Sequence, residues 1–211
     1  MTPIQHKLAL DEERAAAERK ARVWHVPLKT KKRLSLKKAI GTMELFRLRQ
    51  EEVPLIIKLI ENPKYRTSKL FSGAVSLHKH DCIHILLGRG LLAKDEAFVI
   101  GYTMGSANKM KRWRRNLFMF FAKYLYPKGY RFGEEERFVF NMGVKLGSIL
   151  KVDLSVTDFK KFEGETPRTI RQRLGVDENL LMNYYLLEKV IFPDSPESQR
   201  LLKQQIHEEI L

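Results

Sequence analysis

The chain has 211 residues, of which 44 % are hydrophobic and 30 % charged; it is long enough to bury a core and too apolar for wholesale disorder. Cys82 is the one cysteine, which excludes an intrachain disulfide and a cysteine-rich zinc module. The net charge of +14 is concentrated. Residues 1–38 hold 11 basic and 4 acidic side chains and residues 97–133 hold 8 basic and none acidic, so two surfaces are expected to attract an anionic partner.

From the N-terminus, Leu8–Val23 is rich in helix formers but short of large apolar residues, and a Lys/Arg-dense run around Pro27 follows. Residues 1–35 are therefore expected to form a basic, partly helical arm outside the core. The first thirty residues lack an apolar leader core, and Asp11, Glu12, Glu13 and Glu18 argue against a transit peptide. From Leu36 onward Ile40, Met43, Leu45, Phe46 and Leu48 recur at helical spacings. Pro54 opens a second helix that Asn62-Pro63 ends. Leu77–Leu87 is the next helix, broken by Gly88-Arg89-Gly90, and Lys94–Met104 restarts one with Asp95 and Glu96 early, where the helix dipole favours acids.

Asn116–Tyr126 is apolar almost all round, but its run from Leu117 is about half the length of a spanning helix, so a soluble or peripheral protein of a reducing space is expected. Between Gly133 and Ile149, Phe138, Met142 and Leu146 share a helical face. Thr166-Pro167 reads as an N-cap with proline at the first helical position, stopped by Gly175, and Asp177 caps the helix after it. Pro193-Asp-Ser-Pro196 breaks before a last polar helix. Without sustained two-residue alternation or an Asn-Gly or Asp-Gly hairpin dipeptide, the expected fold is an all-α single domain over residues 36–211.

The segment HKHDCIHILLGRGLLAKDE, residues 78–96, holds three of the six histidines. On a helix His84 lies about 40° from His80 and Asp81 about 100°, so two imidazoles stack one turn apart with a carboxylate on their flank. Histidines at this spacing can share a small cation about 2.0–2.2 Å from each donor. Asp81 then either joins as a ligand or orients an imidazole from behind. On one unbroken helix Glu96 would lie some 18 Å further along the axis, so it reaches the pair only if the glycines fold the chain back into a helical hairpin. The bland alternative is a hydrogen-bonded histidine pair on a surface helix. His78 is out of phase with the pair, and Cys82 faces away from it as a small core residue.

His80-Asp81-x-x-His84, eleven residues and then Glu96 resembles the HDxxH-x11-E signature of the ubiquinone-biosynthesis family numbered four in the Coq series. The similarity extends to Leu86, Leu87 and Gly88 and is concentrated between Leu77 and Gly105. It departs where that family has a proline-containing loop and a glycine before its glutamate; this chain has Arg89-Gly90 and Asp95. The resemblance implies an α-helical homodimer that holds a divalent ion, commonly taken as zinc, through His80, Asp81, His84 and Glu96, beside a tunnel for a polyprenylated quinone precursor. It also implies a place on the inner face of a membrane, among other quinone-biosynthesis proteins, and replacement of the ring C1 carboxylate by a hydroxyl. Zinc is redox-inert and such a replacement needs an electron acceptor, whereas two histidines and a carboxylate are also a ferrous-iron ligand set. A Lewis-acid ion that polarises a ring oxygen or carboxylate is the milder scheme.

In KMKRWRRNLFMFFAKYLYPKGYRF, Arg112, Trp113, Arg114 and Arg115 suit anionic head groups, and Phe118 and Phe121 suit a lipid chain. The bland alternative makes the apolar residues core and the cations a solvated face. Two other function classes compete. One is a non-catalytic scaffold in which the ion only staples two helices. The other is a basic nucleic-acid-binding domain, disfavoured because no helix–turn–helix, RNP-like or zinc-finger pattern is present.

Overall fold

A computed structural model describes residues 24–30, 33–44, 76–107 and 132–201. Among the described residues the chain is all-α, with seven α-helices and no strand. The helices are α1 (Leu36–Glu44), α2 (Leu77–Leu87), α3 (Ala93–Ser106), α4 (Glu134–Gly147), α5 (Pro167–Leu174), α6 (Glu178–Ile191) and α7 (Pro196–Arg200), with a 3₁₀ turn over Phe159–Phe162. The expected helices over Leu8–Val23, after Pro54 and over Asn116–Tyr126 lie outside the described residues. No described helix is long and apolar enough to cross a membrane.

Local chemistry sets most of the ends. Thr166 accepts from the Thr169 amide and Pro167 occupies the first position of α5, while Gly175 ends the helix at φ 74°. The Asp177 carboxylate accepts from the Asn179 and Leu180 amides at the start of α6. Gly88 ends α2 at φ 64°, a left-handed conformation that suits glycine, and its amide donates to the Ile85 carbonyl at 3.2 Å.

The arm expected over residues 1–35 is corrected at residues 24–28 and at Leu34. Trp24, Val26, Leu28 and Leu34 are buried in the main core with Phe98, Tyr102 and Tyr185. Trp24, Val26 and Leu28 at alternate positions, with Leu34 six residues on, bury well outside any helix, which the dense lysines beside them obscured. The Trp24 indole donates to the Thr42 hydroxyl of α1 at 3.3 Å.

Helices α3 and α4 run parallel and meet backbone to backbone. A β-carbon added to Gly101, Gly105, Gly143 or Gly147 would lie within 2.6 Å of a carbonyl oxygen of the facing helix. The facing residues are Phe140, Val144, Phe98 and Tyr102 in that order, so both helices advance together in steps of four. This is the close approach that paired small-xxx-small stripes permit. Of the face expected from Phe138, Met142 and Leu146, Leu146 is buried in the core and Met142 packs against it, whereas Phe138 is 36 % exposed; α4 also buries Val139, Phe140, Gly143 and Gly147.

Candidate metal centre

Three of the expected ligands converge. His80 Nε2 and Glu96 Oε2 are 2.9 Å apart, His84 Nε2 and Glu96 Oε1 are 3.3 Å apart, and the two Nε2 atoms are 2.9 Å apart. Among the described residues this is the one group of three or more His, Cys, Asp or Glu side chains whose donor atoms lie close enough to hold an ion. Bonds of about 2.0–2.2 Å that open angles between 90° and tetrahedral span chords of about 2.9–3.5 Å, so the triangle fits a first-row divalent cation. His84 is 1 % exposed, while His80 and Glu96 are 16 % and 20 % exposed, so the triangle opens to solvent on one side.

The triangle is frustrated if only protons occupy it. An imidazole nitrogen donates or accepts in the ring plane but does not do both. If both Nε2 atoms donate to Glu96, two N–H groups face each other across 2.9 Å. If one donates to the other ring, a lone pair is left against the carboxylate. A single cation satisfies all three donors at once. Burial disfavours the charged form of Glu96, but the His84 and His80 rings beside it outweigh that and hold its carboxyl well below the usual carboxylate range. It is therefore ionised at neutral pH and available to a cation.

Asp81, expected as a fourth ligand, does not join the group. It sits about 100° round α2 from His80, which turns it off the shared face, and it is buried with interactions of its own. His78 stands near the rim, 3.9 Å from Glu163 and 3.8 Å from the Cys82 sulfur. Cys82 is fully buried and its thiol is pushed up to about 12, mainly by loss of water, which makes it a neutral core side chain as expected. Arg112, Trp113, Arg114, Arg115, Phe118 and Phe121 lie outside the described residues.

The hairpin that brings Glu96 back is fixed at both ends. On the α2 side, the Arg89 amide donates to the His84 carbonyl, Arg171 donates to the Leu86 carbonyl at 3.1 Å, and the Tyr185 hydroxyl donates to the Leu87 carbonyl at 2.5 Å. These occupy carbonyls that a helix end leaves without partners. On the α3 side, Asp95 accepts from the Leu92 amide at 3.2 Å and pairs with Arg200 of α7. In the turn itself, the Arg89 guanidinium makes two hydrogen bonds to Glu188 of α6, at 3.0 and 2.5 Å, and lies 4.0 Å from the centre of the Phe98 ring. Arg89, Asp95, Glu188 and Arg200 are all buried.

Sequence reasoning took Arg89 and Gly90 as a helix break and a departure from a family pattern, and Asp95 as an early helix acid, but gave neither Arg89 nor Asp95 a buried ion pair. The available signal was an arginine flanked by apolar residues in LLGRGLL, since a lone cation in such a run must find a buried partner or leave the core. No protein-family model, no curated protein and no solved structure matches this chain.

Proposed function

We propose that this chain binds a divalent metal ion through His80, His84 and Glu96 and acts on, or presents, a polyprenylated quinone precursor at a membrane surface. The observation that carries the metal part is the frustrated donor triangle, whose three short edges a cation satisfies and protons do not. The resemblance of residues 77–105 to the quinone-biosynthesis signature supports the substrate class, and the basic segment 97–133 supports an anionic membrane face.

A bound divalent ion supplies Lewis-acid polarisation of a ring oxygen or carboxylate, or, if it is redox-active, a route for electrons. The chain's own part is to hold that place. His84 is locked in the core side of α2, His80 stands at the solvent edge, and Glu96 brings the negative charge that offsets the cation. Three protein ligands with one open side match a site that admits substrate, whereas a purely structural zinc is closed by four.

The scaffold alternative gives the ion the task of stapling α2 to α3. The buried Arg89–Glu188 and Asp95–Arg200 pairs already fasten that hairpin, which favours an ion kept for chemistry. Elemental analysis of protein purified without added metal, with mass spectrometry of co-purifying lipid, tests the proposal. About one equivalent of a divalent metal in the wild type, lost in Glu96→Gln with melting little changed, is the expected result. A wild-type protein that neither retains nor binds a divalent metal would sink the reading. A large drop in melting for Glu96→Gln would return the ion to a structural staple.

A further inference from the structure

We infer that Asp95 and Arg200 are positioning residues for Glu96, and that α7 thereby sets the cation affinity of a centre it never touches. The inference rests on the metal reading of His80, His84 and Glu96. The two histidines and the glutamate belong to different helices, so the triangle closes only if α3 begins at the right point relative to α2. The end of α2 is held separately, by Gly88, Arg171 and Tyr185. The start of α3 is held through Asp95, the residue before Glu96.

Asp95 is fully buried, and its carboxylate does three things. It accepts the Leu92 amide, which fixes the first turn of α3; it pairs with Arg200; and it faces the Arg89 guanidinium across 3.9 Å. Arg89 is in turn held by Glu188, which also accepts a 3.4 Å hydrogen bond from the Ser198 hydroxyl of α7. Two cations and two anions therefore form one neutral buried group that ties the α2–α3 turn to α6 and α7. A buried group of this kind tolerates loss of one member badly, because an uncompensated charge remains.

Gly90 makes the arrangement possible. A β-carbon there would strike the Arg200 guanidinium and lie 2.6 Å from the Trp24 carbonyl oxygen. Its φ is not in the left-handed region, so the glycine serves close approach and not a turn conformation. The chain thins at residue 90 so that an arginine can pass over the turn and reach Asp95. The Glu96 side chain, by contrast, has the two imidazoles as its partners, so its position follows the turn that carries it.

The test uses the full chain and Co²⁺, whose visible absorption reports both affinity and coordination number. The wild type is expected to develop ligand-field bands that Glu96→Gln loses. Asp95→Asn and Arg200→Gln are each expected to weaken Co²⁺ binding by about tenfold or more and to alter the band intensities. Arg200→Lys, which keeps the charge, falls less far than Arg200→Gln. Phe159→Ala empties a core position in the 3₁₀ turn, which fastens neither end of the hairpin, so it lowers melting and keeps wild-type affinity and spectrum. Should Asp95→Asn fail to fold, the Arg200 pair carries the comparison.

Arg200→Gln and Asp95→Asn that bind Co²⁺ within about twofold of the wild type with the same spectrum would overturn the positioning role while leaving the centre intact. Absence of Co²⁺ bands in the wild type would overturn the metal reading and the positioning role together.

Discussion

Near the end of α2, the Leu86 carbonyl has no turn of helix beyond it to donate a hydrogen bond. Arg171 supplies that donor with one arm of its guanidinium and reaches the Leu28 carbonyl at 2.6 Å with another, while its Nε donates to Glu178 at 2.8 Å. The side chain is buried, and loss of water pulls its pKa down while Glu178 resists. Three acceptors in three directions suit a planar fork and not a point charge. Arg171→Ala strands two buried carbonyls and a half-buried carboxylate, and a loss of about 3–5 kcal/mol in urea denaturation is expected. Arg171→Lys is expected to recover less than half of it, because an ammonium cannot span the same geometry. A lysine variant as stable as the wild type would show that charge alone holds the three segments together.

At the scale of the element, the α3–α4 pair reverses the usual sign of a glycine substitution. Alanine in place of glycine inside a helix ordinarily stabilises by about 0.5–1 kcal/mol, since the unfolded chain loses freedom. Among the described residues nothing lies within 4 Å of a β-carbon added at Gly41 in α1, and Gly41→Ala is expected to stabilise by that amount. Gly105→Ala places a methyl against the Val144 carbonyl, so the helices must part, and a net loss of about 1–3 kcal/mol is expected. Thermal melts of the two variants side by side decide it; melting points that rise together would mean the close approach is not needed.

This contrast also marks what the sequence makes legible. Caps are local: Thr166-Pro167, Gly175, Asp177 and Gly88 each announce a helix end within three or four residues, and each is found at that end. The facing of His80 and His84 is local too, because one helical turn fixes it. Glu96 could be joined to them only through the two glycines between. The buried glycine stripes carry no apolar side chain, so periodicity reported Met142 and Leu146, which do pack, and passed over Gly143 and Gly147. The Arg89–Glu188 pair spans 99 residues, and no local pattern reports a partner that distant.

For the whole molecule, the question is where the cooperative unit begins. Lysine density around Pro27 gives residues 24–35 the look of an arm, yet Trp24, Val26, Leu28 and Leu34 are buried in the same core as α2, α3 and α6. The same segment offers Arg171 its Leu28 acceptor, and its Trp24 and Val26 carbonyls back the α2–α3 turn at Gly90 and Gly88. At about 1.5–3 kcal/mol for each fully buried apolar side chain, the four amount to about 6–12 kcal/mol. That is comparable with the entire net stability of a typical domain, about 5–15 kcal/mol. A chain starting at residue 36 is therefore expected to show no cooperative thermal transition, and Trp24→Ala in the full chain to lose about 3–5 kcal/mol. Because the segment braces the turn that carries Glu96 toward its histidines, the shortened chain should also fail to bind a divalent cation even where helical circular dichroism persists. A chain starting at residue 36 that melts cooperatively within a few degrees of the full one would restore the segment to an appendage, and would leave the hairpin to the buried charges alone.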